Sequence, residues 1–228
     1  MRVVIMGGTS GIGLAAARRL ADDGAEVIVT GRDPERLAAV KDVVTAAEQV
    51  DGTSEEAVAA FFDRTGPFDH LVLAFSPGAV GLGPIADVGL ADVRAAFDGK
   101  LFPYLFAVQR AQVTGSITLI SASTARSALA GTVTLAAVNG AIERMVSPLA
   151  AELAPVRVNA VSPGAVDTPW WDFLPREQRQ AQFAAASDAV PAGRVGRAED
   201  VAAAVRYLVD ATYVTGSVLP VDGGFTVA

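Results

Sequence analysis

The 228-residue chain has no cysteine. Disulfides, thiolate nucleophiles and cysteine-ligated metal or iron–sulfur centres are therefore excluded. Its one histidine, His70, cannot build a multi-histidine zinc site, and no metal is expected. Basic residues are outnumbered, 18 Lys plus Arg against 25 Asp plus Glu, for a net charge of -7. A nucleic-acid binder needs a basic face, so nucleic acid is not an expected partner. Aromatics make up only 7%, too little for a base-stacking platform. No run approaches the ~20 continuous apolar residues of a membrane span. The apolar stretch after Arg2 is broken by glycines after Met6, with no cleavage site behind it. It does not read as a signal peptide, and the expected location is cytoplasmic. Tyrosine is scarce too, at three residues, which leaves few side chains for acid–base work.

What the chain does have is apolar bulk and glycine: 51% hydrophobic residues and 22 glycines. A chain this long can bury one substantial core, and no repeat or low-complexity linker divides it. A single domain over 1–228 is expected. Strands are expected over 3–6, 26–30, 43–46, 70–74, 116–121, 156–160 and 217–221. Helices are expected over 14–23, from Asp33-Pro34, from Thr53 or Ser54 to Asp63, and over 92–108, 135–154 and 198–209. Pro103 and Pro148 are irritants inside two of them. Strands this apolar, separated by helices, imply a parallel sheet covered on both faces. The expected fold class is α/β, a doubly wound three-layer sandwich with a central parallel sheet. Its ligand crevice should lie at the C-terminal strand ends. His70 starts a strand, at the opposite end, and is set aside as a catalytic candidate.

The first strand runs straight into Gly7-Gly8-Thr9-Ser10-Gly11-Ile12-Gly13. Glycine lets a phosphate approach the backbone closely, and the helix that follows offers unpaired N–H groups and its positive end. Gly13 permits close packing of that helix. No Lys-Ser/Thr pair follows, so this is a dinucleotide turn and not a P-loop. The second strand ends at Thr30-Gly31-Arg32-Asp33. An acidic residue here receives the ribose hydroxyls of NAD, whereas arginine pairs with a 2′-phosphate. Arg32 therefore points to NADP(H). Asp51 can accept from an adenine amino group or serve as a turn residue.

With these residues in place, the chain resembles the short-chain dehydrogenase/reductase family over essentially its whole length. Gly7, Gly11 and Gly13 match the family's cofactor glycines, and Asp51 its adenine-contacting aspartate. The run from Val156 to Thr168, VRVNAVSPGAVDT, is a strong match. The resemblance implies a Rossmann-like fold and places Pro163, Gly164, Val166 and Thr168 around the nicotinamide carboxamide. The ending Thr215 to Gly224, TGSVLPVDGG, resembles the family's last strand and turn. Homodimers or homotetramers acting on small-molecule substrates are implied.

The resemblance fails at the catalytic positions. The family uses a tyrosine acid, a lysine four residues later that lowers its pKa and holds the nicotinamide ribose, a carbonyl-orienting serine and a relay asparagine. Registering on Leu149-Ala150-Ala151-Glu152-Leu153 puts Leu135 at the tyrosine position, Asn139 at the lysine, Ala122 at the serine and Lys100 at the asparagine. Leu135 cannot donate a proton, and Asn139 carries no charge to lower a neighbour's pKa. Asn139 can still bond a ribose hydroxyl. Four substitutes offer themselves. Lys100 and Tyr104 are four apart on one helix face, so Lys100 can activate Tyr104 or stabilise an oxyanion itself. Ser121 and Ser123, at the end of the fifth strand, can orient a carbonyl. Glu143 and Arg144 are expected to face solvent or a partner helix. Trp170, Trp171 and Phe173 follow Thr168 and suggest an aromatic, apolar lid.

Three functions remain open on the sequence. The first is an atypical NADP(H)-dependent oxidoreductase moving hydride to or from a small, apolar carbonyl, alcohol or activated alkene. The second is a catalytically impaired cofactor-binding partner or regulatory protein. The third is a non-redox lyase, isomerase or cyclase on the same fold.

Overall fold

A computed structural model describes residues 1–227. Seven parallel strands form one sheet in the order β3-β2-β1-β4-β5-β6-β9. They are β1 (Arg2–Met6), β2 (Glu26–Gly31), β3 (Ala46–Gln49), β4 (Phe68–Leu73), β5 (Val113–Ile120), β6 (Arg157–Pro163) and β9 (Val218–Val221). Two-residue strands β7 (Val166–Asp167) and β8 (Gly196–Arg197) pair separately. The order reverses beside β1, between β1 and β4, and opens the crevice there.

Period-two alternation divides the core. Val4, Met6, Leu71, Leu73, Ile117 and Leu119 point to one face. Helices α3 (Glu55–Thr65), α5 (Phe102–Arg110) and α6 (Val133–Glu152) cover it. Val3, Ile5, Val27, Val29, Val72 and Val161 point to the other, under α1 (Gly11–Asp22) and α8 (Ala198–Asp210). This is the three-layer sandwich expected. Helix α2 (Pro34–Ala39) starts at Asp33, whose carboxylate accepts from the N–H groups of Glu35 and Arg36. Ser54 accepts from the Ala57 N–H and starts α3. Asn159, wholly buried, ties β6 to the loop before β9 by donating to the Val214 carbonyl and accepting from the Ser217 N–H.

Three expectations need correction. The third strand begins at Ala46 and not at Val43, because Val43 and Val44 sit in the turn feeding it. The helix expected over 92–108 is two helices, α4 (Leu90–Ala96) and α5, joined by a π-helical turn over Phe97–Leu101. In that turn the Phe102 N–H reaches back to the Phe97 carbonyl. The wide turn falls just before Pro103, whose missing N–H would interrupt a regular α-helix. Helix α7 (Arg176–Asp188) was not anticipated: it carries no buried residue and hence no apolar stripe to read.

Candidate functional site

The crevice is a cavity of about 650 Å³ that runs from the glycine turn, past Asp51, to the ends of β5 and β6. At one end, β1 delivers Gly7 with φ +85° and Gly11 with φ +51°, values that side chains rarely adopt. Ser10 caps α1 by backbone geometry alone, with no side-chain hydrogen bond to the first turn. The first N–H groups of α1 are thereby left for a ligand. Thr9, Ser10, Gly11 and Ile12 line the cavity. Gly13 lies behind them, where an added Cβ would stand 2.1 Å from the Gly7 carbonyl oxygen. Its hydrogen is what lets α1 close onto the turn. Arg32 is exposed and lines the same end of the cavity. Asp51 accepts from the Thr53 N–H at 2.9 Å and hydroxyl at 2.8 Å through one oxygen. Those bonds hold its carboxyl below the usual range and leave the second oxygen to the cavity.

At the other end, Pro163 closes β6, and with Gly164, Val166 and Thr168 after it lines the wall. Gly164 is packed so closely that an added Cβ would lie 2.8 Å from the Asp222 Cα. The Trp171 indole donates to the Val166 carbonyl at 3.0 Å, fixing the aromatic segment over the opening. Trp170, Trp171, Phe173 and Phe183 stack edge-on or in parallel, with centroids 4.8–6.2 Å apart. Of the three aromatics expected in a lid, Trp170 and Trp171 line the cavity, whereas Phe173 is exposed and does not. His70 lies in the N-terminal half of the central strand β4, away from the crevice, its Nδ1 2.9 Å from the Ser116 Oγ, and burial pulls its pKa down.

The inner end holds Lys100, delivered inward by the π-helical turn and 8% exposed. Its Nζ donates to Asn139 Oδ1 at 2.7 Å and points at the Ser121 carbonyl at 3.5 Å. Burial pushes the amine down to about 7, opposed by the charge of Glu143. The two register departures thus meet in space. A lysine and an asparagine are both present, each on the other's helix, and they touch.

The remaining candidates separate on geometry. Tyr104 is fully buried, and its hydroxyl sits 2.7 Å from the Leu73 carbonyl and 3.1 Å from that of Phe75. Burial drives its pKa up. The activated-tyrosine reading is therefore corrected: Lys100 lies 5.9 Å over the ring, a cation–π distance, and Tyr104 ties α5 to the strand ends. Asn139 is also corrected as a ribose contact. Its Oδ1 takes Lys100, and its Nδ2 donates to the Leu135 carbonyl at 2.9 Å and to Thr124 Oγ1 at 3.3 Å. Ser121 also lines the cavity, but its hydroxyl is engaged, donating to Glu143 Oε1 at 2.8 Å. Ser123 lines the cavity, buried, and among the described residues its hydroxyl has no partner within the chain.

Glu143 overturns its expected exposure. Its side chain is 10% exposed. Oε1 accepts from Ser121 and from Ser162, at 2.7 Å, and Oε2 pairs with Arg126 at 3.0 Å. The signal was available: Glu143 is one helical turn beyond Asn139 and shares its face. Arg144 is exposed, as expected.

Comparison with known proteins agrees with this architecture. The family model described as enoyl-(acyl carrier protein) reductase matches residues 7–226. A cis-4-hydroxycyclohexanecarboxylate dehydrogenase of Sinomonas cyclohexanicum is 33% identical over 243 residues, covering 98% of this chain and 95% of its own. An uncharacterized short-chain type dehydrogenase/reductase of Sinorhizobium fredii is 33% identical over 97% of this chain, which spans only 42% of that longer protein. A small-chain dehydrogenase crystallised in complex with NADPH superposes with TM-score 0.87 and 32% identity, over 100% of this chain and 99% of its own. No described helix is long and apolar enough to cross a membrane. From the parallel seven-stranded sheet, the glycine turn and these matches, the chain belongs to the short-chain dehydrogenase/reductase family of nicotinamide-binding oxidoreductases.

Proposed function

We propose that the protein is an NADP(H)-dependent oxidoreductase in which Lys100 takes the place of the family's tyrosine as proton donor. The observation that carries this reading is the buried Lys100 amine at the inner end of the crevice, where it is the one charged side chain among the described lining residues. The other charged lining residues, Arg32, Asp33, Arg36 and Asp51, cluster at the opposite end. A nicotinamide bound between them supplies the hydride. Lys100, held by Asn139, faces the oxygen on which negative charge develops and gives it a proton. Ser123, with its free hydroxyl, orients that oxygen. The wall around them is apolar, with Val80, Leu82, Leu129, Leu135, Trp170 and Trp171. It suits a small neutral carbonyl, alcohol or activated alkene. Exposed Leu90, Phe102 and Leu105 on α4 and α5 support a homodimer or homotetramer.

The test is turnover of 4-deuterated NADPH with a panel of alicyclic and aromatic ketones and enones. Deuterium is expected in the product, with a rate of reduction that falls as pH rises through about 7, the value at which Lys100 loses its proton. The reverse oxidation needs the unprotonated amine and should rise over the same range. Product formed without nicotinamide oxidation would replace this reading by the non-redox lyase, isomerase or cyclase. Tight NADPH binding with no turnover across the panel would replace it by the impaired cofactor-binding partner.

Cofactor choice rests on Arg32. Wild-type protein is expected to bind NADPH more tightly than NADH, and Arg32→Ala should shrink that preference by roughly 10- to 100-fold, the worth of one charge-assisted contact. Calorimetric titration reads it directly. Equal affinities for the two cofactors before and after the substitution would remove the assignment.

A further inference from the structure

Glu143 is the one largely buried carboxylate near Lys100, and hydride transfer as described does not use it. It sits where three elements converge. On α6 it is one turn beyond Asn139, which holds the Lys100 amine. It takes the Ser121 hydroxyl from the end of β5, and the carbonyl of that same serine lies 3.5 Å from Lys100 Nζ. It takes the Ser162 hydroxyl from β6, beside Pro163 of the nicotinamide wall. Two serines and one guanidinium fix the carboxylate from both oxygens, so its charge has a set position relative to the amine.

Resting on the reading of Lys100 as proton donor, we propose that Glu143 is a positioning residue that keeps the Lys100 amine in its ammonium form inside a dry crevice, with Arg126 setting how much of that charge Lys100 feels. Desolvation favours the neutral amine, and an opposite charge within the same low-dielectric region favours the ammonium. The groups facing Lys100 are few. From α6 there are Asn139, which is neutral, and Glu143; from α5 there is the ring of Tyr104. Arg126, on the loop after β5, faces Glu143 and also acts on Asp222 near the C-terminus. Glu143 and Arg126 therefore push the amine in opposite directions. Because the carboxylate does not touch Lys100, its influence is electrostatic and does not require it to meet substrate.

The chain has two lysines, Lys41 and Lys100, and Lys41 is exposed. Protein grown on ε-13C-lysine should thus give two resolved side-chain signals, Lys41 serving as the reference. Following the Lys100 signal with pH in the NADP-bound protein reads its titration without any turnover. Glu143→Gln keeps the shape and an acceptor for both serines. It is expected to lower the Lys100 midpoint by roughly one pH unit, the scale of one charge several ångströms away. Arg126→Gln, on a side chain 37% exposed, is expected to raise it. The pH–rate limb for ketone reduction should move with the midpoint in both variants. An unmoved midpoint in both variants overturns the proposal, and Arg126→Gln alone decides it if Glu143→Gln does not fold. Midpoints that shift while the pH–rate limb stays fixed leave Glu143 as the charge partner of Lys100 and overturn Lys100 as the proton donor.

Discussion

Replacing Lys100 by methionine is expected to reduce kcat for carbonyl reduction by about 10²–10⁴-fold, the usual worth of a positioned proton donor. NADPH affinity should stay within a few-fold, because the glycine turn and Arg32 lie at the other end of the cavity. The emission of Trp170 and Trp171, the only two tryptophans, both at the cavity wall, gives a direct reading of binding. Methionine fills the lysine stem's volume but leaves Asn139 Oδ1 without its 2.7 Å donor. An orphaned buried acceptor costs about 1–3 kcal/mol, so Tm should drop by several degrees when it is read near pH 10.5, where the folded amine is already neutral and its burial no longer costs a proton. The double variant Lys100→Met/Asn139→Leu removes both partners. It is expected to recover much of that Tm and none of the activity. Stability should also change its pH dependence. Folded Lys100 titrates near 7 against an ordinary 10.5, so between those values the unfolded chain binds a proton that the folded chain does not. Wild-type stability gains from this group as pH rises across that window, and Lys100→Met lacks the gain. A variant that keeps kcat within threefold of wild type would move the proton donor elsewhere, with Ser123 next in reach of the substrate.

Gly13→Ala is the second large effect. The new Cβ would stand 2.1 Å from the Gly7 oxygen, 2.9 Å from the Gly7 carbonyl carbon and 3.2 Å from the Gly8 Cα. All three are backbone atoms, so no side chain can swing aside. Helix α1 must back away from the turn that it closes. Overpacking of this kind costs about 1–3 kcal/mol or more, a Tm loss of roughly 2–12 °C for a chain of this length. The displaced N–H groups no longer converge on one phosphate. Losing two charge-assisted hydrogen bonds weakens NADPH by roughly 10²–10⁴-fold. Gly140→Ala is the contrast. Its added Cβ meets nothing nearer than the Ala125 oxygen at 4.0 Å, and alanine is the better helix former by about 1 kcal/mol, so this variant should be more stable than wild type. Melting curves and NADPH titrations of the pair decide the matter. A Gly13→Ala protein that binds NADPH like wild type would contradict the cradle.

The fold and the cofactor half were legible because local rules dictate them. A strand that must turn sharply onto a helix has to use glycine at Gly7 and Gly11, and strands apolar at nearly every position suit a doubly covered sheet. Registering the chain on the pattern of the family it resembles also brought out the vacancy at Leu135 and the exchange between Lys100 and Asn139. What spacing could not give is direction. Tyr104 shares a helix face with Lys100, yet its hydroxyl ends among carbonyls, because the π-helical turn sets both side chains inward and the strand ends offer Tyr104 acceptors first. Ser121 and Ser123 look equivalent in sequence, and alternation would put both on one side, but Ser123 opens a 3-10 turn over Ser123–Ala125 that re-aims its side chain, while the Ser121 hydroxyl meets Glu143 of α6. Helical periodicity could place Glu143 on the face of Asn139, away from solvent or a partner helix, but not name its two serine partners, which are 22 and 19 residues away. The two-residue strands β7 and β8 are too short to have a pattern at all.

The all-parallel sheet gives the molecule a working edge and an idle one. Every strand discharges its C-terminal end toward the crevice, so the turns that enter the strands, at Gly24 and Gly66, lie on the side away from it, and at both an added Cβ would meet nothing within 4 Å. The chain brings no thiol of its own. One cysteine introduced beside either turn, at exposed Asp23 for instance, would be a unique handle. A dye, a surface or a second enzyme fastened there would hold the protein with its mouth facing outward.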